Sequence, residues 1–157
     1  MKLIIFSLLG ISFLHSCGKV QGCTNEKADN YNIKAEKDNG SCILGRAKFI
    51  TSGGWNISGT IQTNNQNNSF VNQTCKITSI QNDDAGVNIT LTINNISPIE
   101  LVGSANSDTL KVINHNNFGI IYNGTLIKKT GDANIYINLN GTSTTNTTII
   151  TAQGPTK

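Results

Sequence analysis

Few side chains in this sequence could carry out chemistry. Cysteines stand at positions 17, 23, 42 and 75, and His115 is the one histidine beyond the first 17 residues that could serve as a base. Catalysis needs titratable groups held within hydrogen-bonding reach of one another, and His115 lies in an Asn-His-Asn-Asn run that predicts a solvated turn. None of the patterns of a nucleophile elbow, a zinc protease, a phosphate loop or a dinucleotide site occurs. We therefore expect a protein that is not an enzyme and has no cofactor, with an envelope enzyme as the minority alternative.

The first cysteine follows an apolar run of the length found in secretory signals. Lys2 precedes this run, 3–14, which is shorter than the roughly 20 residues of a membrane-spanning helix. The run ends Leu14-His15-Ser16-Cys17 and resembles the lipobox of bacterial lipoproteins, which implies cleavage after Ser16 and a lipid (a palmitate-type acyl anchor) on the Cys17 thiol. The alternative is an ordinary secretory signal. Either signal places the protein outside the cytoplasm, where disulfides can form.

The next two cysteines bracket a charged segment, 22–43, that contains seven charged residues between Glu26 and Asp38. Its sequence, GCTNEKADNYNIKAEKDNGSCI, resembles a motif of bacterial surface and secreted proteins, GCTDxxAxNYNxxAxxDDGSC, with asparagines at positions 25 and 39 where the motif has aspartates. A segment this short cannot bury a core of its own. We therefore expect a disulfide between Cys23 and Cys42, which would stabilise a loop of this length by roughly 3 kcal/mol.

A calcium loop is an alternative interpretation of the same segment. The candidate oxygen ligands are Asp29, Asn32, Asp38 and Asn39. Their spacing does not follow the EF-hand pattern, and the closing glutamate is missing. We therefore assign no metal and expect a disulfide-stapled spacer.

Two residues outside that segment are also candidates for a chemical role. Cys75 lies in an alternating run and is expected to be an unpaired thiol buried on a strand. Thr109, in Asp108-Thr109-Leu110, resembles the acceptor site for periplasmic O-glycosylation in some bacteria, and is therefore a candidate glycan site.

The composition indicates how the chain positions these residues. Charged residues make up 13% of the chain, against about a quarter in an average domain, while asparagine, isoleucine and threonine number 23, 22 and 18. Such a chain favours strands joined by Asn/Gly turns over surface helices. The net charge is only +3, without a basic cluster, so no nucleic-acid partner is expected.

Apolar and polar residues alternate through most of the chain after position 46, which is typical of half-buried strands. Eight or nine strands are predicted, near 46–51, 54–62, 70–80, 87–94, 98–103, 108–114, 118–129, 133–140 and 146–153. The apolar face of each strand gives the predicted core: Trp55, Ile57, Ile61, Ile77, Val87, Ile89, Leu91, Ile93, Leu126, Ile135, Ile137, Leu139 and Ile149. The spacing predicts an all-β antiparallel fold of about eight strands, either a barrel or a β-sandwich.

The stretch from Lys48 to Gln153 resembles small bacterial lipoproteins with lipocalin-like β-barrels. The residues that carry the resemblance are Gly54, Trp55 and Ile57 in the opening strand, the strand 87–95, and the pair Gly124-Thr125 within 118–126. The resemblance implies a barrel whose closed end is plugged by the Trp55 ring. In the alternative, Trp55 is simply the largest core residue of an antiparallel sheet.

These expectations divide the chain into a signal peptide (1–16), a lipidated tether (17–21), the cysteine-bracketed segment (22–43) and an all-β domain (44–157). The expected function is that of a lipoprotein of the cell envelope, anchored at the outer membrane on its periplasmic or its surface side. Its β-domain would bind a small apolar ligand or serve structurally, without catalysis. The alternative is an adhesion or protein-interaction module whose Asn/Thr-rich faces contact glycans or proteins.

Overall fold

The computed structural model describes residues 18–157. The signal segment and the predicted lipid site at Cys17 lie outside the described residues. Within the part of the chain that is described, no helix has both the length and the apolar character needed to cross a bilayer.

Two short strands and a helical turn precede the barrel: β1 (Gln21–Gly22), β2 (Lys37–Asp38) and a 3-10 helix, η1 (Gly45–Lys48). Eight longer strands follow, and they are β3 (Trp55–Thr63), β4 (Gln66–Ser79), β5 (Gly86–Thr92), β6 (Ile99–Asn106), β7 (Thr109–Asn117), β8 (Ile120–Ile127), β9 (Asn134–Thr142) and β10 (Thr147–Pro155).

The eight long strands form a closed antiparallel barrel in which each strand pairs with its neighbour in sequence. The ring closes where β10 pairs with β3, with Ile150 opposite Ile61. Closure pairs the backbone of every strand on both sides and removes the exposed edges of an open sheet. The predicted all-β barrel is therefore confirmed, and the sandwich alternative is wrong.

Burial alternates along the strands, so that one face of each fills the barrel. The predicted core is confirmed at every position except Ile149, which is 37% exposed, whereas Ile150 is fully buried. Two adjacent isoleucines leave the phase of β10 open in the sequence. Further along the strand, Gly154 decides it: its position faces inward, where a Cβ would collide with the backbone of Asn56.

Segment 46–51 is not the strand that its alternation predicts, because residues 45–48 form η1. Every barrel strand already has two neighbours, so a ninth strand in the ring would have no partner. The turn predicted around His115 is wrong as well. Strand β7 continues to Asn117, and the irregularity in its pairing lies at Asn114, whose φ of 48° an asparagine tolerates well.

One end of the barrel, called here the closed end, is plugged by aromatic side chains. Trp55 and Phe49 are fully buried there, and the Trp55 Nε1–H donates to the carbonyl oxygen of Phe49 at 2.8 Å. The ammonium group of Lys128 lies 5.9 Å from the Trp55 ring centroid. Gly54, with φ at 76°, makes the tight entry into β3, since a Cβ there would lie 2.9 Å from the Cys75 carbonyl oxygen.

The predicted Cys23–Cys42 disulfide is present, and the segment it staples lies against the closed end. The Asn25 side-chain amide donates to a carboxylate oxygen of Asp84 at 2.7 Å. Lys48 joins the two parts, since its ammonium group lies 2.8 Å from a carboxylate oxygen of Asp29 in the stapled segment and 2.7 Å from one of Asp108 in the β6–β7 turn. The segment is therefore docked to the barrel and does not act as a free spacer.

Candidate functional site

The other end of the barrel, called here the mouth, is open. It is formed by four loops, 64–65, 93–98, 118–119 and 143–146, none of which contains a charged residue. Between them lies a cleft of about 350 Å³. Its floor is made of inward-facing side chains of the barrel, including the buried Ile61 and Ile99, and Ile96, Pro98 and Phe118 form part of its rim.

Two hydroxyl groups stand in this apolar floor. Tyr122 and Thr148 are 2% and 5% exposed, and both line the cleft. They lie on neighbouring sides of Gly141, which pairs with Tyr122 on β8 and with Thr148 on β10. A Cβ at Gly141 would lie 2.6 Å from the Tyr122 ring, so the glycine leaves the space that the ring occupies.

The hydroxyls of Tyr122 and Thr148 make no side-chain hydrogen bond within the described chain. Neither hydroxyl oxygen is fully enclosed by protein, so both can be reached from the cleft. Burial raises the pKa of Tyr122 above its ordinary value of 10.0. The phenol is therefore neutral at physiological pH and can both donate and accept a hydrogen bond. Because both hydroxyls can be reached from the cleft and make no side-chain hydrogen bond in the described chain, they are available to a bound molecule.

Phe118 is the most exposed large apolar side chain of the described residues, with 88% of its surface accessible. It occupies the first position of the two-residue β7–β8 turn, where Phe118 and Gly119 have φ angles of 49° and 83°. Such turns favour asparagine, aspartate and glycine, as in the corresponding turn Asn64-Asn65. Because it is exposed and stands in a backbone conformation that disfavours it, we take Phe118 as a candidate contact residue at the rim.

The candidate calcium ligands are engaged in local contacts. Asp29 is ion-paired with Lys48. Asn32, Asp38 and Asn39 each accept a hydrogen bond from the backbone N–H two residues further on, which stabilises turns. Within residues 18–157, no three acidic, histidine or cysteine side chains are grouped as metal ligands.

The remaining candidates do not converge on one site. As predicted, Cys75 is unpaired and buried on a strand. It lies opposite Trp55, and burial raises the pKa of its thiol to about 12. His115 pairs with Tyr122 on the mouth half of the barrel, so the structure does not bring thiol and imidazole together. Thr109 begins β7 at the closed end and is half-buried.

The sequence alone did not identify the mouth. Tyr122 and Thr148 are 26 positions apart, and only the pairing of β8, β9 and β10 brings them to one level of the barrel. One signal was available in the sequence. Gly119 is a typical turn residue, yet the sequence predicted that a strand begins at 118, whereas Phe118 and Gly119 form the β7–β8 turn and Phe118 is the exposed residue at the rim.

The chain matches no protein-family model, no curated protein and no solved structure.

Proposed function

We propose that this protein is a membrane-anchored lipoprotein of the cell envelope whose barrel binds a small, uncharged, mainly apolar ligand at the mouth, without catalysis. The observation that carries the proposal is the cleft lined by Tyr122 and Thr148, two largely buried residues whose accessible hydroxyls have no side-chain hydrogen bond in the described chain. A cleft of about 350 Å³ lies at the lower end of the range of small-molecule sites, which are mostly apolar with a few polar groups that fix orientation.

The chemistry of the lining defines the class of ligand. Ile61, Ile99 and Ile120 offer apolar surface, and no charged side chain lines the cleft. An ionic ligand would lose its hydration there without gaining an ion pair. The Tyr122 and Thr148 hydroxyls would instead hydrogen-bond to one hydroxyl or carbonyl group of the ligand. We therefore expect a short aliphatic or alicyclic molecule with a single neutral polar group.

The position of the stapled segment orients the mouth. The predicted tether, 17–21, leads into the segment that docks at the closed end through Lys48 and Asn25. With a lipid on Cys17, the closed end would face the membrane and the mouth would face away from it. This orientation supports uptake of the ligand from the aqueous side of the membrane.

Two observations support a role without catalysis. The Cys75 thiol is buried, and its pKa of about 12 leaves it protonated and poorly nucleophilic at physiological pH. The one described histidine, His115, does not lie beside it.

The ligand proposal is tested with N-phenyl-1-naphthylamine, an uncharged dye that becomes fluorescent in apolar sites. We expect the purified full chain to bind the dye and Thr148→Phe, which fills the cleft from its floor, to abolish that binding. Asn88→Ala is the matched control, because Asn88 points outward on β5. Undiminished dye binding by Thr148→Phe would exclude the cleft as the site.

The role of the hydroxyls is tested by competition against the dye. Hexan-1-ol should displace the dye at a lower concentration than hexane does. Tyr122→Phe should reduce the ratio of these two concentrations about tenfold, because one hydrogen bond to the ligand is lost. Equal competition by both compounds in the wild type would contradict the assignment of a polar group to the ligand.

The anchor is tested separately. Metabolic labelling with an alkynyl fatty acid should tag the wild-type protein, and Cys17→Ser should not be tagged. Labelling of the serine variant would show that the lipobox interpretation is wrong, whatever the mouth binds.

A further inference from the structure

Half of the barrel wall carries no charge at all. The neighbouring strands β8, β9, β10 and β3 contain no aspartate, glutamate, lysine, arginine or histidine. Of the other four strands, β5 is also uncharged, but β4, β6 and β7 carry Lys76, Glu100 and Lys111. The outer surface of these four strands is called here the uncharged face. Its side chains are mostly polar, and it therefore differs from the apolar floor of the mouth cleft.

A groove of about 440 Å³ runs across the uncharged face. Its lining includes Gly59, Ile137 and Ala152, whose positions face the barrel interior, so the backbone there forms part of the floor. At Gly59 the β3–β4 pairing is irregular, and a Cβ would collide with the backbone of Thr151 and Ala152 on β10. The close approach that the glycine permits brings β3 and β10 together beneath the groove.

One wall of the groove is a row of hydroxyl and amide groups. Strand pairing aligns Thr60, Thr151, Asn138 and Thr125 across the four strands. At about 4.8 Å between strands, such a row spans roughly 14 Å. None of these four side chains hydrogen-bonds to another protein group in the described chain, so their donors and acceptors are satisfied by solvent and can be transferred to a ligand.

The second row contains the one aromatic residue of the groove. Ser58, Gln153, Tyr136 and Ile127 are aligned in the same way. The Tyr136 hydroxyl donates to a carboxylate oxygen of Asp132 at 2.9 Å, and the other carboxylate oxygen accepts the Asn134 N–H at 2.9 Å. These contacts hold the ring, which is 37% exposed, beside the polar row.

This combination fits a neutral sugar chain. A pyranose presents hydroxyls around its edge, which amides and hydroxyls can bind in both directions, and an apolar C–H face, which packs on an aromatic ring. A charged ligand would find no counter-charge among the outward residues of the four strands. A protein interface normally includes several aromatic, methionine or arginine anchors, and here Tyr136 is the only one. We propose that the groove on the uncharged face binds a segment of a neutral oligosaccharide or polysaccharide.

This site is separate from the mouth, so the inference does not rest on the ligand proposed there. It is tested by probing an array of neutral and anionic oligosaccharides with the purified full chain. We expect binding to at least one neutral glycan. Tyr136→Ala and Asn138→Ala should each weaken it by about tenfold, the first by loss of ring stacking and the second by loss of hydrogen bonds. Thr90→Ala, on the outer surface of β5, is the matched control and should bind as the wild type does.

Asn138→Ala decides the question if Tyr136→Ala does not fold, because Asn138 is exposed and its side chain makes no hydrogen bond in the described chain. Binding of anionic glycans alone, or of no glycan, would overturn the inference. So would neutral-glycan binding that Asn138→Ala leaves unchanged. Binding lost in Phe118→Ala but kept in Asn138→Ala would place the sugar at the mouth and would also overturn it.

Discussion

At the scale of single residues, the alternation of burial along β5 makes neighbouring substitutions differ sharply. Leu91 is fully buried and faces Cys75 and Ile99 across its two strand pairs, whereas Asn88 points to solvent. We expect Leu91→Asp to cost about 4 kcal/mol or more, because it buries an unpaired carboxylate, and so to prevent folding. Asn88→Asp should change the free energy of unfolding by at most about 0.5 kcal/mol.

The two variants are compared by far-UV circular dichroism and thermal melts of the full chain. A Leu91→Asp protein that melts like the wild type would show that the inward phase of β5 is wrong. The comparison isolates phase, since both substitutions introduce the same aspartate three positions apart on one strand.

Which side chains of a strand face the barrel interior was largely predictable, because one position in two is apolar in most strands. The sequence failed where two apolar residues are adjacent, as at Ile149 and Ile150. There the decision belongs to a distant contact, the approach of Gly154 to the backbone of Asn56. Tyr122 and Thr148 were beyond reach for a related reason, since their proximity depends on strand pairing and not on spacing in the sequence.

At the scale of elements, the β7–β8 turn contains an exposed phenylalanine, Phe118, in a backbone conformation that disfavours it. A side chain in a left-handed conformation costs about 1 kcal/mol, and asparagine tolerates it better than phenylalanine. We therefore expect Phe118→Asn to stabilise the protein by about 1 kcal/mol, measured as a rise of roughly 3 °C in Tm. The same variant should bind N-phenyl-1-naphthylamine more weakly, because part of the apolar rim is removed.

Asn65→Phe in the β3–β4 turn provides the opposite substitution, at a φ of 67°, and should lower the Tm by a similar amount. The existence of most strands was predictable from the regular spacing of alternating runs, whereas their order in the sheet was not, because that spacing is compatible with both a barrel and a sandwich. Turn positions were harder to predict, because asparagines serve both in the turn at 64–65 and in the β7 irregularity at Asn114.

A Phe118→Asn protein that is less stable than the wild type would contradict the turn prediction. It would mean that Phe118 packs structurally and has no contact role.

At the scale of the whole molecule, the charged side chains around the barrel ends lie at the closed end, and the open cleft lies at the other end. The mouth loops are uncharged, while the closed end gathers Lys48, Asp29, Asp108, Asp83 and Lys128 around its plug. Asn25 of the stapled segment contacts this end through Asp84. Arg46 of η1 also contacts it, donating to the carbonyl oxygens of Ile80 and Asp83. The stapled segment thus lies against the charged end of the barrel, and the uncharged mouth lies at the opposite end.

The ion pairs of Lys48 make that attachment sensitive to alkaline pH. Burial lowers the pKa of Lys48, but its hydrogen bonds to Asp108 and Asp29 outweigh this effect and raise the pKa above 10.5 overall. Because the folded pKa is raised, the stabilisation is fully present below pH 10.5 and is lost as the pH rises through the folded pKa.

We expect Lys48→Met to lower the free energy of unfolding by about 1 kcal/mol at pH 7. Lys76→Met, an exposed site on β4, should have little effect. In denaturant titrations, the difference between Lys48→Met and the wild type should shrink once the pH exceeds the folded pKa of Lys48. A difference that stays constant into that range would assign the stabilisation to packing of the lysine stem and not to its charge.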